Sequence, residues 1–118
     1  MRLRCIMPAL PPRDVARLRH MREAAEKAIA YTVGRDRSIL DSDEMRTLAV
    51  VRLVEIIGEA ARAVSEPTRT QFPEISWREI VGTRDRLIHG YEEVDLDILW
   101  TIVTDDLPVL VSELNRTG

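Results

Sequence analysis

The sequence predicts an all-α domain, an antiparallel four-helix bundle, and three observations carry that prediction. Hydrophobic residues make up 45% of the chain and aromatics only 4%. The core is therefore built from Leu, Ile, Val and Ala, a set better suited to helices than to strands. Four stretches place apolar residues at three- and four-residue spacing, and no stretch reads as a strand. Five glycines and six prolines are too few to punctuate a sandwich of many short strands. At 118 residues the chain amounts to one domain, with short connections of about 5 to 10 residues that suit antiparallel neighbours.

The opening MRLRCIMPALPP, residues 1–12, is basic but lacks the apolar stretch of a secretion signal. It reads as a loosely held extension, with the folded domain spanning residues 13–118. The first helix is expected from about Asp14 to Val33, on a stripe of Val15, Leu18, Met21, Ala25, Ile29 and Thr32, ended by Gly34. The second, from about Ser42 to Val64, is apolar over well over half its circumference and leaves a thin polar row that includes Glu55, Glu59 and Arg62. A helix of that kind is buried on several sides, and in so short a chain a subunit interface supplies the missing cover.

The third helix begins with a capping box, Ser76 and Glu79, flanked by Ile75 and Ile80 as a hydrophobic staple, and runs to about His89 before stopping at Gly90. The fourth starts at Asp95, a natural N-cap, and carries Leu96, Leu99, Val103, Leu107, Leu110 and Leu114. Pro108 removes one intrahelical hydrogen bond, so a kink or break is expected near it.

Charge and motif content narrow the function. A net charge of −3 argues against indiscriminate wrapping of nucleic acid but leaves room for a small local anion site. Lys27 is the only lysine among 17 basic residues, and arginine's planar fork suits phosphate and carboxylate. The lone Cys5 has no partner for an intramolecular disulfide, so a reducing, cytoplasmic setting is expected. No apolar run approaches the about 18 residues of a membrane span. The sequence has no Gly-rich phosphate loop, no Cys/His metal spacing and no serine nucleophile elbow. Neither a metal site nor a cofactor is expected.

The informative stretch is WREIVGTRDRLIHGY, Trp77 to Tyr91. Wound as one helix, it gathers Trp77, Ile80, Val81, Leu87, Ile88 and Tyr91 into a stripe with Arg84 in its middle. A charge centred on a buried stripe costs several kcal/mol unless it is paired or reaches a wet groove. Either Arg84 forms a structural ion pair with Glu55 or Glu59, or it points into a cleft to hold an anion. His89 falls at the other flank, about 140° from Arg84 on a straight helix. Asp85, one turn earlier, is placed to bond the imidazole and favour its protonated form. A histidine near a helix C-terminus is either a cap to the dipole or an acid/base group. Arg78 and Arg86 lie near the same side, as solvated charges or as phosphate contacts. Convergence of Arg84 and His89 requires rearrangement of the last turn or a twofold axis.

The run Arg84-Asp85-Arg86-Leu87-Ile88-His89-Gly90-Tyr91 resembles the R-x(4)-H-x-Y motif of the HEPN superfamily, in particular its small HepT-like toxins. The runs Glu55 to Ala61, Pro73 to Gly82 and Val94 to Trp100 are similar to that family too, and the likeness extends from about Asp14 to Leu114. The resemblance implies a HEPN-like helical bundle that homodimerises and brings two motif helices into one groove. It implies a metal-independent endoribonuclease toxin of a type VII-like toxin–antitoxin pair, acting on RNA. His89 would then be the acid/base residue, Arg84 the phosphate-holding residue and Asp85 a supporting one that stands where asparagine is common. Tyr91 would accept AMP from a minimal nucleotidyltransferase (MNT) antitoxin, which shuts the toxin off. The alternative is a non-catalytic HEPN module that dimerises and binds a nucleotide or the partner enzyme.

Overall fold

A 21-residue helix, α1 (Pro12–Thr32), forms the axis against which the rest of the chain packs in the computed structural model, which describes residues 9–89 and 93–116, His89 through its backbone alone. Pro12 sits in the first turn, where a missing N–H costs nothing. The helix ends at Val33, and Gly34 then turns the chain with φ +75°, a left-handed conformation that glycine adopts without a Cβ penalty. The buried face is Asp14, Leu18, Met21, Ala25, Ala28 and Thr32. Val15, expected on that stripe, is exposed, and Asp14 occupies the buried position at its level. The helix therefore starts its inward stripe on a carboxylate, which a count of apolar residues passes over. Leu10, in the segment expected to be loosely held, packs against the core.

A short helix α2 (Ile39–Ser42) precedes α3 (Glu44–Arg62). The long helix is capped by Asp43, not begun at Ser42: the Asp43 carboxylate accepts from the Arg46 N–H at 3.1 Å and pairs with Arg46 Nε at 3.0 Å. Those bonds, the backbone one foremost, hold the Asp43 carboxyl below its ordinary pKa. Arg46 also donates from Nη1 to the Tyr31 carbonyl at 2.7 Å, which ties the start of α3 to the end of α1. Val50, Val54, Ile57 and Ala61 form the buried face of α3, while Met45 (83% exposed) and Leu48 (60%) stand in solvent.

A one-turn helix α4 (Glu66–Arg69) follows and is pinned to α1 through a buried cluster. Asp14, only 2% exposed, accepts hydrogen bonds from the Ser65 hydroxyl (2.5 Å), the Thr68 hydroxyl (2.5 Å) and the Ser65 N–H (3.2 Å). A buried carboxylate is tolerable only with such donors.

The third rod of the expected bundle is not one helix. It comprises α5 (Trp77–Val81) and α6 (Thr83–Leu87), separated at Gly82, and the helix ends at Leu87. Ser76 precedes α5 but its side chain makes no capping bond, so the expected capping box is absent. The chain then becomes extended: β1 (Ile88–His89) pairs antiparallel with β2 (Glu93–Val94), with Ile88 opposite Val94 and His89 opposite Glu93. This minimal ladder was not foreseen, because two residues are too few to show an alternating pattern. Gly90, where the helix was expected to stop, lies outside the described residues.

Asp95 caps α7 (Leu96–Thr101), its carboxylate accepting from the Ile98 N–H at 3.0 Å. Residues Ile102–Asp106 wind as a π-helical turn, and α8 (Leu107–Asn115) completes the rod with Pro108 in its first turn. The disturbance expected near Pro108 thus falls on the residues before it, as the absent N–H and the proline ring loosen the preceding turn. Leu99, Ile102, Val103, Leu107, Leu110 and Leu114 are buried. The fold class is all-α, with α3 and α8 against α1, and α5 and α6 against α3. No helix among the described residues is long and apolar enough to cross a membrane.

Candidate active site

The break at Gly82 positions the site. Thr83 turns inward and donates its hydroxyl to the Ile80 carbonyl, and Leu87, one turn on, is fully buried. With Thr83 and Leu87 facing the core, Arg84 faces outward and is exposed. The wheel drawn through the apolar residues alone centres the buried stripe on Arg84. The stripe runs instead through Ile80, Thr83 and Leu87, and a polar Thr83 is invisible to an apolar count.

Arg84 stands at an open groove of about 320 Å³ between α3 and the α5–α6 break, with Glu55, Gly58, Glu59, Arg62, Val81 and Thr83 along its walls. The ion pair with Glu55 or Glu59 is not formed. Both carboxylates pair with Arg52 instead, at 3.9 and 3.2 Å. Among the described residues Arg84 has no ion pair, so its guanidinium is available to an anion in the groove.

Gly58 sets how closely the walls approach. A Cβ there would lie 3.1 Å from Thr83 Oγ1 and 3.2 Å from the Ile80 carbonyl oxygen. The sequence held a signal for this role: a glycine inside an apolar helix costs about 1 kcal/mol in propensity and marks a close backbone approach. Arg62, one further turn along α3, adds a second cation to the groove and was read only as part of a polar row.

The other expected site residues are placed as follows. Asp85 is exposed on α6. The i to i+4 alignment that would set it beneath His89 ends with the helix at Leu87. The backbone of His89 is held in the β1–β2 ladder, five residues after Arg84. Arg86 is half-buried, and its Nη1 lies 3.4 Å from Asp106 Oδ2, which commits it to the π turn and not to the groove. Arg78 is exposed beside Trp77, on a neighbouring concave surface that shares Val81 with the Arg84 groove. Tyr91 lies outside the described residues.

With the helical architecture and the Arg84 groove described, comparison with known proteins gives the class. The family model for "Ribonuclease HepT-like" matches residues 21–117. A candidate RNase of Methanocaldococcus jannaschii is 40% identical over 103 residues, covering 86% of this chain and 94% of its own. A Thermococcus cleftensis protein named for ribonuclease HepT is 40% identical over 74 residues, 63% of this chain and 67% of its own. A candidate RNase of Caldanaerobacter subterraneus subsp. tengcongensis is 33% identical over 99 residues, with 84% and 88% covered. No solved structure matches the chain. The class is thus that of RNA-acting nucleases. The chain belongs to the HepT-like ribonuclease family.

Proposed function

We propose that this protein is a metal-independent endoribonuclease that acts as a dimer through Arg84 and His89. The observation that carries the reading is the exposed Arg84 guanidinium, free of ion pairs among the described residues, at an open groove five residues ahead of the His89 backbone. RNA brings its own nucleophile, the 2′-hydroxyl. One imidazole takes the 2′ proton, a second from the other subunit protonates the departing 5′-oxygen, and arginine stabilises charge on the phosphorane. The product is a 2′,3′-cyclic phosphate. Proton transfer by such a group is worth about 10²- to 10⁴-fold, and a fixed donor at the developing charge adds about 10²- to 10³-fold.

Exposed Met45 and Leu48 on α3 supply apolar surface for a second copy, whose docking in the proposed dimer brings the two motif segments across a twofold axis. The reading extends to a cytoplasmic toxin of a type VII-like pair. Its MNT antitoxin transfers AMP from ATP to the Tyr91 hydroxyl and releases pyrophosphate. AMP at Tyr91 puts bulk and negative charge where RNA phosphate binds. Support for these finer points is the R-x(4)-H-x-Y motif set within the family match.

The test is incubation with single-stranded RNA and tRNA in EDTA. Cleavage leaving 2′,3′-cyclic phosphate ends is expected, and intact RNA rejects the proposal. Glu55 and Glu59 along the same groove favour a second reading, a module that binds nucleotide or partner and cleaves nothing. Arg84-dependent binding with intact RNA would select it.

A further inference from the structure

A second concave surface adjoins the Arg84 groove, joined to it through Val81. It is shallow and open, spans about 510 Å³ and is lined by Glu66, Arg69, Thr70, Trp77, Arg78 and Val81. Two of its groups are locked in place. The Trp77 ring is oriented by its Nε1, which donates to the Phe72 carbonyl at 3.1 Å. The Arg69 guanidinium lies 5.6 Å from the centre of that ring, within cation–π range. It is fixed by carbonyls at the end of α3: Nε donates to Val64 at 3.1 Å, and Nη2 to Ala61 at 3.0 Å and Arg62 at 3.4 Å.

Arg69 therefore spends two of its nitrogens on the fold, while Nη1 has no partner among the described residues. The guanidinium already covers one face of the indole, with no room for a base between them. The pair makes one preoriented cationic π platform at a partly exposed surface, of the kind on which an unpaired base stacks. Exposed Arg78 beside them offers a phosphate contact, and the exposed Glu66 carboxylate accepts from base N–H groups.

We infer that Arg69 and Trp77 form a base-stacking subsite that seats an unpaired nucleotide of the RNA strand next to the phosphate held at Arg84. The inference rests on the ribonuclease reading for the identity of the ligand. The subsite selects single strands, because a base inside a duplex presents no free face. It deepens that reading by giving Trp77 a role in substrate binding apart from the cleavage chemistry.

The test uses the full chain and a single-stranded oligonucleotide with 2′-O-methyl groups throughout, which binds but lacks the attacking hydroxyl. In a Trp100→Phe background, Trp77 fluorescence reports the subsite directly, and quenching on binding is expected. Trp77→Leu should weaken affinity by about 5- to 150-fold, the span of one base–aromatic stack, with Trp77→Tyr restoring most of it. Arg78→Ala, a change at an exposed residue, should weaken affinity and flatten its salt dependence by about one phosphate contact. If the wild type cleaves RNA but Trp77 is not quenched and both variants bind normally, the subsite is wrong and the ribonuclease reading survives. Trp77-dependent binding without cleavage of ordinary RNA supports the subsite and removes the nuclease. If the wild type neither binds nor cleaves, both fall.

Discussion

A Cβ on Gly58 would meet the Thr83 hydroxyl oxygen at 3.1 Å, so α3 and the arginine-bearing segment approach at a point where a side chain enters only if its neighbours give way. Thr83 cannot simply swing aside, since its hydroxyl is bonded to the Ile80 carbonyl, and that carbonyl is itself 3.2 Å from the same point.

Gly58→Ala is therefore expected to destabilise the protein by about 1 to 3 kcal/mol, the range for overpacking a filled site. Alanine's better helix propensity offsets at most about 1 kcal/mol of that. Urea unfolding checks the sign. RNA cleavage should fall as well, because the α5–α6 break must shift and Arg84 moves with it.

Asp14 makes stability depend on acid pH. The hydrogen bonds from Ser65 and then Thr68 hold its carboxyl below the ordinary value of 3.8, against the opposing effect of burial. Its folded-state pKa is depressed, so its contribution is complete above the unfolded value of about 3.9 and disappears as pH falls through the lower folded value. Asp14→Asn should cost about 2 kcal/mol at pH 7, where bonds to a charged acceptor are lost. That gap should shrink as pH falls below the unfolded value and through the lower folded one. Urea midpoints for both proteins across this range provide the measurement.

Arg84→Met separates function from fold. Arg84 is exposed and has no ion pair among the described residues, so stability should stay within about 0.5 kcal/mol of the wild type. Cleavage should drop about 10²-fold or more through loss of a fixed cationic donor. Thermal unfolding and kcat/KM, measured together, check the pair of outcomes.

Most of the fold was legible in the sequence, and the failures have physical causes. The apolar stripes of α1, α3 and α7–α8 are long enough to fix class and order, and Asp95 marked its helix start correctly. Asp14 was missed because its burial depends on donors 51 and 54 residues away, which no local pattern contains. The exposure of Arg84 was missed because the buried stripe passes through Thr83, a polar residue that an apolar count leaves out, and so lies to one side of Arg84. Arg86 was counted with the phosphate contacts, since nothing near it in sequence announces Asp106, 20 residues on. The motif itself was visible, whereas the groove that gives Arg84 room needed the packing of Gly58.

The proposed control through Tyr91 makes a separate prediction. With ATP and an active cognate nucleotidyltransferase, the intact mass should rise by AMP, and Tyr91→Phe should show no gain. Modified wild type should lose cleavage while keeping its unfolding temperature, because inhibition is by occlusion and charge.

The central claim is that His89 moves protons in an RNA cleavage that needs no metal. The direct measurement is cleavage of single-stranded RNA in EDTA by the wild type and His89→Ala, with light scattering on both. The account predicts two folded dimers and a rate about 10²- to 10⁴-fold lower for the variant. A variant that cuts as fast as the wild type, or a wild type that cuts only with metal, would contradict it.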